Sequence, residues 1–306
     1  MSVHNLSDAQ VDDQKSVLAS PPQPGTSRWR RLLAKTPIHL VILIVVAIWM
    51  EPTVALLISS FRPAYLVSTT GWWTAFSPAH FTFELYREAI TANGMGQSFI
   101  NSLFISIPAT VIPIMVAAFA AYAFAWMNFP GRNLLFVTVV GLLVVPLQMT
   151  LIPVLRLYQR FGLAGTFPGI WLAHTAYGLP FAVYLLRNFF GTLPSEMLES
   201  AYLDGASGFT AFFQLVLPLS VPAIASLAIF QFMWVWNDLL VALIYLGGYP
   251  SVAPMTVTIS NLVNSLGGNW QVLTAAAFIS MILPLLIFFT LQRYFVRGIL
   301  AGSVKG

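Results

Sequence analysis

An all-α integral membrane protein with six membrane-crossing helices is the fold class this sequence predicts, and three observations predict it. Hydrophobic residues make up 58% of the 306 and charged residues 8%, where a soluble domain carries about 25% charged residues. The apolar residues gather in six stretches, about 37–60, 101–126, 134–155, 167–188, 219–245 and 271–292. Each is near the ~20 residues that cross ~30 Å of hydrocarbon at 1.5 Å per residue. Lysine and arginine are spread unevenly around them. With the N-terminus inside, the inner segments hold Lys15, Arg28, Arg30, Arg31, Lys35, Arg132, Arg187, Arg293, Arg297 and Lys305, against Arg62, Arg87, Arg156 and Arg160 outside. That positive-inside bias places both termini in the cytoplasm.

Residues 1–27 are rich in Ser, Asp, Gln and Pro and read as a disordered cytoplasmic tail, because they offer little apolar surface to bury. Residues 28–306 read as one six-span domain. The first apolar run follows a basic collar and lacks a small-residue cleavage site, so it is expected to be a retained anchor and not a signal peptide. The long outer loop, 61–98, carries Trp72, Trp73, Phe76, Phe81, Phe83 and Tyr86. These suit either an interfacial aromatic belt or a docked external partner. Pro108, Pro113, Pro146, Pro153, Pro168, Pro180, Pro222 and Pro284 interrupt the spans. Each removes a backbone hydrogen bond and is expected to bend its helix, as ordinary bundle geometry or as part of a pathway that opens and closes. Ala117, Ala121 and Ala125 recur every four residues and give the second span a small-residue packing face. The outer loop 246–270, with Gly247, Gly248, Gly267, Gly268 and Pro250 and no charge, reads as a compact re-entrant or surface loop.

A short acidic patch, about 194–218, separates the fourth and fifth stretches on the cytoplasmic side. Ser195 is a candidate N-cap and Glu196 complements the positive end of the helix dipole. A short helix over 196–204 would then stop at Gly205, which can take the left-handed conformation. Met197, Leu198, Ala201 and Tyr202 would give that rod apolar surface, and Glu196, Glu199 and Asp204 charge. Gly205-Ala206 lets the chain turn, and Pro218 begins the return to the membrane.

The string Glu199-Ser200-Ala201-Tyr202-Leu203-Asp204-Gly205 followed by Leu217-Pro218 resembles the EAA loop of binding-protein-dependent ABC importer permeases, E-A-A, three residues, G, nine residues, I-x-L-P. Ser200 replaces the second-position Ala and Leu215 the Ile. Four further stretches resemble the carbohydrate-uptake members, and among them the MalG-like subunit: Asn101-Ser102-Leu103, Ala121-Tyr122-Ala123-Phe124 leading to Phe129-Pro130-Gly131-Arg132, Trp236-Asn237-Asp238, and Gln292-Arg293…Gly298…Gly302-Ser303-Val304-Lys305-Gly306. The resemblance implies a type I ABC importer permease-like bundle with a cytoplasmic coupling helix, in a bacterial cytoplasmic membrane. It implies a second permease subunit, two ABC ATPase subunits that bind the ATP and Mg, and an extracytoplasmic solute-binding protein. The transported solute would be a mono- or oligosaccharide, an α-glucoside among the possibilities, carried by alternating access. Glu199, Ser200, Ala201, Asp204, Gly205, Ala206 and Pro218 would then couple to the ATPase, and the C-terminal tail would make a second contact with it.

Asp238 lies within an apolar stretch, where an ionisable group faces a cavity or a partner. With Gln231, Trp234 and Asn237 it could line a polar sugar path; alternatively it ties helices together through hydrogen bonds. An ion-coupled secondary transporter is the alternative function. It would need intramembrane carboxylates or histidines, and His39, Glu51, His174 and Asp238 are scattered over three spans without a repeat. The chain is not expected to be an enzyme. Gly205-Ala206-Ser207-Gly208 spells a G-x-S-G string, but Ser207 lies in a polar loop with no base beside it. Gly298…Lys305 lacks the spacing of a phosphate-binding loop, and with no cysteine thiolate metal sites and thiol nucleophiles are excluded. The dispersed net charge of +4 does not make a nucleic-acid-binding stripe.

Overall fold

The computed structural model describes residues 28–77, 79–91, 94–262, 268 and 270–303, with side chains described only between 37 and 290. The expected 1–27 tail, Pro78, Gly267 and the closing Val304-Lys305-Gly306 lie outside the described residues, as do the side chains of the basic collar and of Arg293 and Arg297. The regular elements are helical, apart from an isolated antiparallel bridge between Phe76 and Ala79. They are α1 (Arg28–Ser60), α2 (Ala64–Thr69), α3 (Glu84–Thr91), α4 (Met95–Trp126), α5 (Arg132–Gly141), α6 (Leu147–Phe161), α7 (Phe167–Phe190), α8 (Ser195–Leu203), α9 (Gly208–Leu219), α10 (Val221–Trp236), α11 (Leu240–Leu246), α12 (Met255–Leu262) and α13 (Trp270–Ser303).

The chain divides into two units, residues 1–54 and 55–306. In the first, α1 presents a ring of exposed apolar side chains, with Leu43, Ile48 and Trp49 among them. A helix apolar all round is suited to lipid or to a large apolar interior.

Among the described residues four helices are long and apolar enough to cross a membrane: Pro37–Ser60 of α1, α4, α7 and Trp270–Thr290 of α13. Two bent pairs are long and apolar enough only when each is taken as one span. Arg132–Val144 meets α6 at 100°, and α9 meets α10 at 73°. Counting each pair as one span gives six crossings, with breaks in the two stretches, 134–155 and 219–245, where Pro146 and Pro222 were expected to bend the helix. The second pair covers 208–236 and so takes in part of the expected loop 194–218. The third breaks at Pro146, held at ψ 125 outside the helical region. The fifth breaks first at Ser220, where Pro222 follows at the start of α10. It breaks again after Trp236, and α11 resumes at Leu240. Pro168 begins its helix instead of bending it: Thr166 Oγ1 accepts from Gly169 N–H, and Pro168 occupies the first turn. There its missing N–H costs nothing. Pro108, Pro113, Pro153, Pro180 and Pro284 lie inside continuous helices.

The second span starts at Met95, six residues before the expected 101. Polar Gln97 and Ser98 mask the start in a hydropathy pattern, yet with Asn101 and Ser102 they are put to use: Gln97 Nε2 donates to Asn101 Oδ1 at 3.0 Å. Asn101 Nδ2 donates to Ala253 C=O at 3.0 Å, Met255 N–H donates to Ser102 Oγ at 2.8 Å, and Ser98 Oγ meets Thr258 Oγ1 at 2.6 Å. They fasten the 246–270 loop, with α12 inside it, onto α4.

Three apolar clusters fill the second unit. One joins α4, α7, α8, α9 and α10 around Ala117, Ala118, Ala121, Leu186 and Leu198. Ala117 and Ala121 have no exposed surface, and their small side chains allow close helix approach. A second joins α4, α6, α7 and α11 around Ala109, Ile170 and Tyr245, and a third centres on Trp236, Met255 and Val272. The segment after α1 is pinned by Arg62, 2% exposed, whose guanidinium donates to Gly71 C=O, Thr70 Oγ1 and Thr74 Oγ1. That leaves Trp73, Phe76, Phe81 and Phe83 exposed on its surface.

Candidate functional site

The acidic patch forms a short helix closed by backbone geometry. α8 runs Ser195–Leu203, with Glu196 in its first turn. Ser195 makes no capping hydrogen bond, because Pro194 takes the position before the helix that an N-cap side chain needs. At the other end Ala206 N–H donates to Ala201 C=O at 2.9 Å, and Gly205 N–H to Tyr202 C=O at 3.0 Å. Gly205 sits at φ +85. That pair of bonds around a left-handed residue is the Schellman stop. An added Cβ at Gly205 would meet nothing within 4 Å, so glycine is required there by the backbone and not by space.

One face of α8 is anchored and the other is bare. Leu198 is 3% exposed and belongs to the α4/α7 cluster, so it anchors the rod inward and is not part of an outer apolar surface. Ser200 Oγ donates back to Glu196 C=O. Glu199, Ser200, Asp204 and Gly205 are exposed, and Ala201 and Ala206 half-buried. Leu203 is 88% exposed, an apolar knob at the helix end that the reading of apolar positions passed over. Among the described residues the Glu199 and Asp204 carboxylates have no hydrogen-bond or ion-pair partner. Pro218 lies exposed on the last turn of α9, just before the 73° bend.

A residue given no role of its own in the sequence, Tyr122 of the Ala121-Tyr122-Ala123-Phe124 string, connects this rod to the bundle. It lies near the C-terminal end of α4 and is 7% exposed. Its hydroxyl donates to Gly208 C=O at 3.0 Å and lies 3.1 Å from Tyr202 Oη, which leaves its oxygen free to accept from Tyr202. One phenol thus touches α8, the start of α9 and α4. Phe212 packs against it, stacked at 4.9 Å on Phe119, where α9 widens into a π-helical turn over Phe212–Val216. A tyrosine at the end of a small-residue stretch, within the string Ala121-Tyr122-Ala123-Phe124, was the available signal.

The candidate path residues do not converge. Gln231 is buried and donates Nε2 to Ala109 C=O at 3.2 Å. Its carboxamide fills the space a side chain at Gly178 would need: a Cβ there would lie 2.6 Å from it. Asn237 is exposed and donates back to Met233 C=O. Asp238 caps α11, accepting from Val241 N–H at 3.3 Å and Ala242 N–H at 2.9 Å, while Thr256 Oγ1 donates to its backbone carbonyl. Trp234 is 38% exposed, edge-on to His174. Gln231 therefore closes a helix–helix contact, whereas Trp234 and Asp238 share a neighbour, His174. In the α13 tail the backbone is helical to Ser303, and the side chains of the Gln292–Ser303 motif lie outside the described residues.

The family described as the binding-protein-dependent transport system inner membrane component matches residues 98–301. The osmoprotective compounds uptake permease protein GgtD of Synechocystis sp. is 60% identical over 295 residues, 95% of this chain and 99% of that protein. The alpha-glucoside transport system permease protein AglG of Rhizobium meliloti is 58% identical over 240 residues, 77% of this chain and 63% of AglG. The trehalose transport system permease protein SugB of Mycobacterium tuberculosis is 33% identical over 233 residues, 75% of this chain and 84% of SugB. The structure of a bacterial ABC transporter involved in the import of the acidic polysaccharide alginate aligns at TM-score 0.74, with 18% identity, over 89% of this chain and 100% of that one; it shares the fold. The chain belongs to the family of binding-protein-dependent transport system inner membrane components, the permease subunits of ABC importers.

Proposed function

We propose that this permease carries a neutral sugar, an α-glucoside, handed over by an external binding protein, and that α8 is the element through which partner ATPase subunits drive it. The observation that carries the coupling reading is the construction of α8. Its stop is made wholly from backbone, Leu198 anchors it to the bundle, and Glu199, Leu203 and Asp204 stand bare. Such a rod can seat in a groove on a neighbour and move as a rigid body. Movement of α8 would reach α4 and α9 together through Tyr122, and the bent crossings at Pro146 and Ser220 are the places where the bundle can flex. Glu199 and Asp204 make contacts to the motor, and Ser200, Ala201, Ala206 and Pro218 shape the rod and its return. ATP and Mg belong to the partner subunits, and the cytoplasmic side is the side of α8, both termini included. The α-glucoside follows from the names of AglG and SugB, and the alternating-access cycle from the family.

The test is uptake of a labelled α-glucoside and binding-protein-stimulated ATP hydrolysis by the reconstituted complex, wild type beside Gly205→Val. The expected result is a variant that assembles and loses both activities. Uptake that persists and ignores ATP would sink the coupling reading and restore the ion-driven one.

A further inference from the structure

The fourth crossing buries an imidazole, His174 on α7, which is 1% exposed. Among the described residues neither of its ring nitrogens has a hydrogen-bond partner. Asp238 Oδ2 lies 3.8 Å from Nε2, beyond hydrogen-bond length. Leaving an imidazole unpaired in an apolar interior is costly, and an ionisable group inside a span marks a pathway or a partner. Three properties of the surroundings say what would satisfy it. The Asp238 carboxylate accepts two backbone N–H bonds and retains acceptor capacity, since a carboxylate has about four lone-pair sites. A neutral imidazole offers one donor and one acceptor. The Trp234 ring stands edge-on to the imidazole, centroids 5.4 Å apart at 86°, and is itself partly exposed. The neighbouring Thr175 hydroxyl is likewise buried without a partner. A hydroxyl group, donor and acceptor at once, bridges an imidazole nitrogen and a carboxylate oxygen, and an indole beside them suits the C–H face of a pyranose.

We infer that His174, Trp234 and Asp238 form a hydroxyl-binding subsite for a neutral sugar, covered by the Trp234 indole in this conformation and uncovered when the pathway opens. The inference rests on the importer reading above and adds His174, on a different crossing, to the residues that meet the solute. It also gives the carboxylate of Asp238 a second task beside capping α11.

The test uses the complete complex with its binding protein in proteoliposomes, sucrose and trehalose as probes, and the variants His174→Leu, His174→Gln and Trp234→Leu. Sugar taken up per ATP hydrolysed is the readout. A subsite predicts that His174→Leu and Trp234→Leu assemble and lower that ratio about tenfold or more, the equivalent of one lost good contact. His174→Gln, which can still bridge a hydroxyl, restores most of it. An unchanged ratio in His174→Leu, or uptake and hydrolysis falling in step so that the ratio holds, overturns the subsite and leaves His174 a packing residue. A wild type that carries neither sugar overturns the subsite and the α-glucoside reading together, whereas a fault confined to the variants touches the subsite alone.

Discussion

The chain breaks its helices in two contrasting ways, at the α8–α9 elbow and at the α10–α11 joint. At the elbow the stop is backbone: Gly205 at φ +85 and two main-chain hydrogen bonds. Among the described residues the Glu199 and Asp204 carboxylates beside it are left without a partner. At the joint the restart is made by a side chain, with Asp238 on the N–H groups of Val241 and Ala242 and Thr256 clamping its carbonyl. The carboxylate is committed inward and is 10% exposed. A joint built from backbone frees its side chains for another subunit. A joint built from a side chain holds that group inside the bundle, where only the solute or a neighbouring helix can reach it.

The sharpest way to break this contrast is at Gly205. A β-branched residue in the left-handed region costs about 1–3 kcal/mol, and the space around the missing Cβ is open. Gly205→Val is expected to abolish coupled uptake, and Gly205→Asn, which tolerates that conformation, to keep much of it. If the two variants behave alike, the requirement is for the surface and not for the turn.

Tyr122→Phe comes next. It deletes one hydroxyl that serves both Gly208 and Tyr202, and each net hydrogen bond is worth about 0.5–1.5 kcal/mol. Tyr202→Phe deletes only one of those bonds and should cost less. The double variant should be no worse than Tyr122→Phe alone, a non-additivity that a shared network produces; additive losses in thermal unfolding would dissolve the link between α8 and α4. At the opposite joint, Asp238→Ala removes a cap, about 1 kcal/mol, and should lower the unfolding midpoint of the detergent-purified complex. Asp238→Asn still caps and should leave the midpoint near the wild type's. Equal midpoints for Ala and Asn would mean that α11 does not depend on the cap.

Much of this was legible in the sequence, and what was not has physical causes. Six apolar stretches were visible because lipid demands long apolar runs, and the α8 stop was visible because few residues other than glycine take φ +85. The two bent crossings were not, since hydropathy reports apolar length and ignores direction. Pro146 and Pro222 read no differently from Pro113 and Pro180, which lie in continuous helices. The start of α4 was set six residues late because Gln97 and Ser98 are polar, although Ser98, like Asn101 and Ser102 after it, is made tolerable in a span by a hydrogen bond to residues 253–258, and Gln97 by one to Asn101. Gln231 was placed on a path because polarity in a span suggests one; its partner, the Ala109 carbonyl, lies 122 residues away and no local pattern encodes it. His174 was noted only as one of several scattered ionisable groups, because its closeness to Asp238 depends on how α7 and α10 cross.

Leu203 gives the smallest effect on the isolated chain and the finest discrimination between the two joints. At 88% exposure it contributes almost nothing to folding, so Leu203→Ala should shift thermal stability by less than about 0.5 kcal/mol. A bare leucine between Glu199 and Asp204 is nonetheless what the centre of a small docking contact needs, an apolar anchor with a polar rim. The same substitution should therefore weaken retention of the ATPase subunits during purification. Leu203→Glu should weaken it further, because a third carboxylate would have to be desolvated beside two others. Glu199→Gln and Asp204→Asn should act mainly through salt dependence, as rim charges do. Full retention of the ATPase subunits by Leu203→Glu would mean that the bare face of α8 is simply solvated, and the contrast between an outward joint and an inward one would lose its functional meaning.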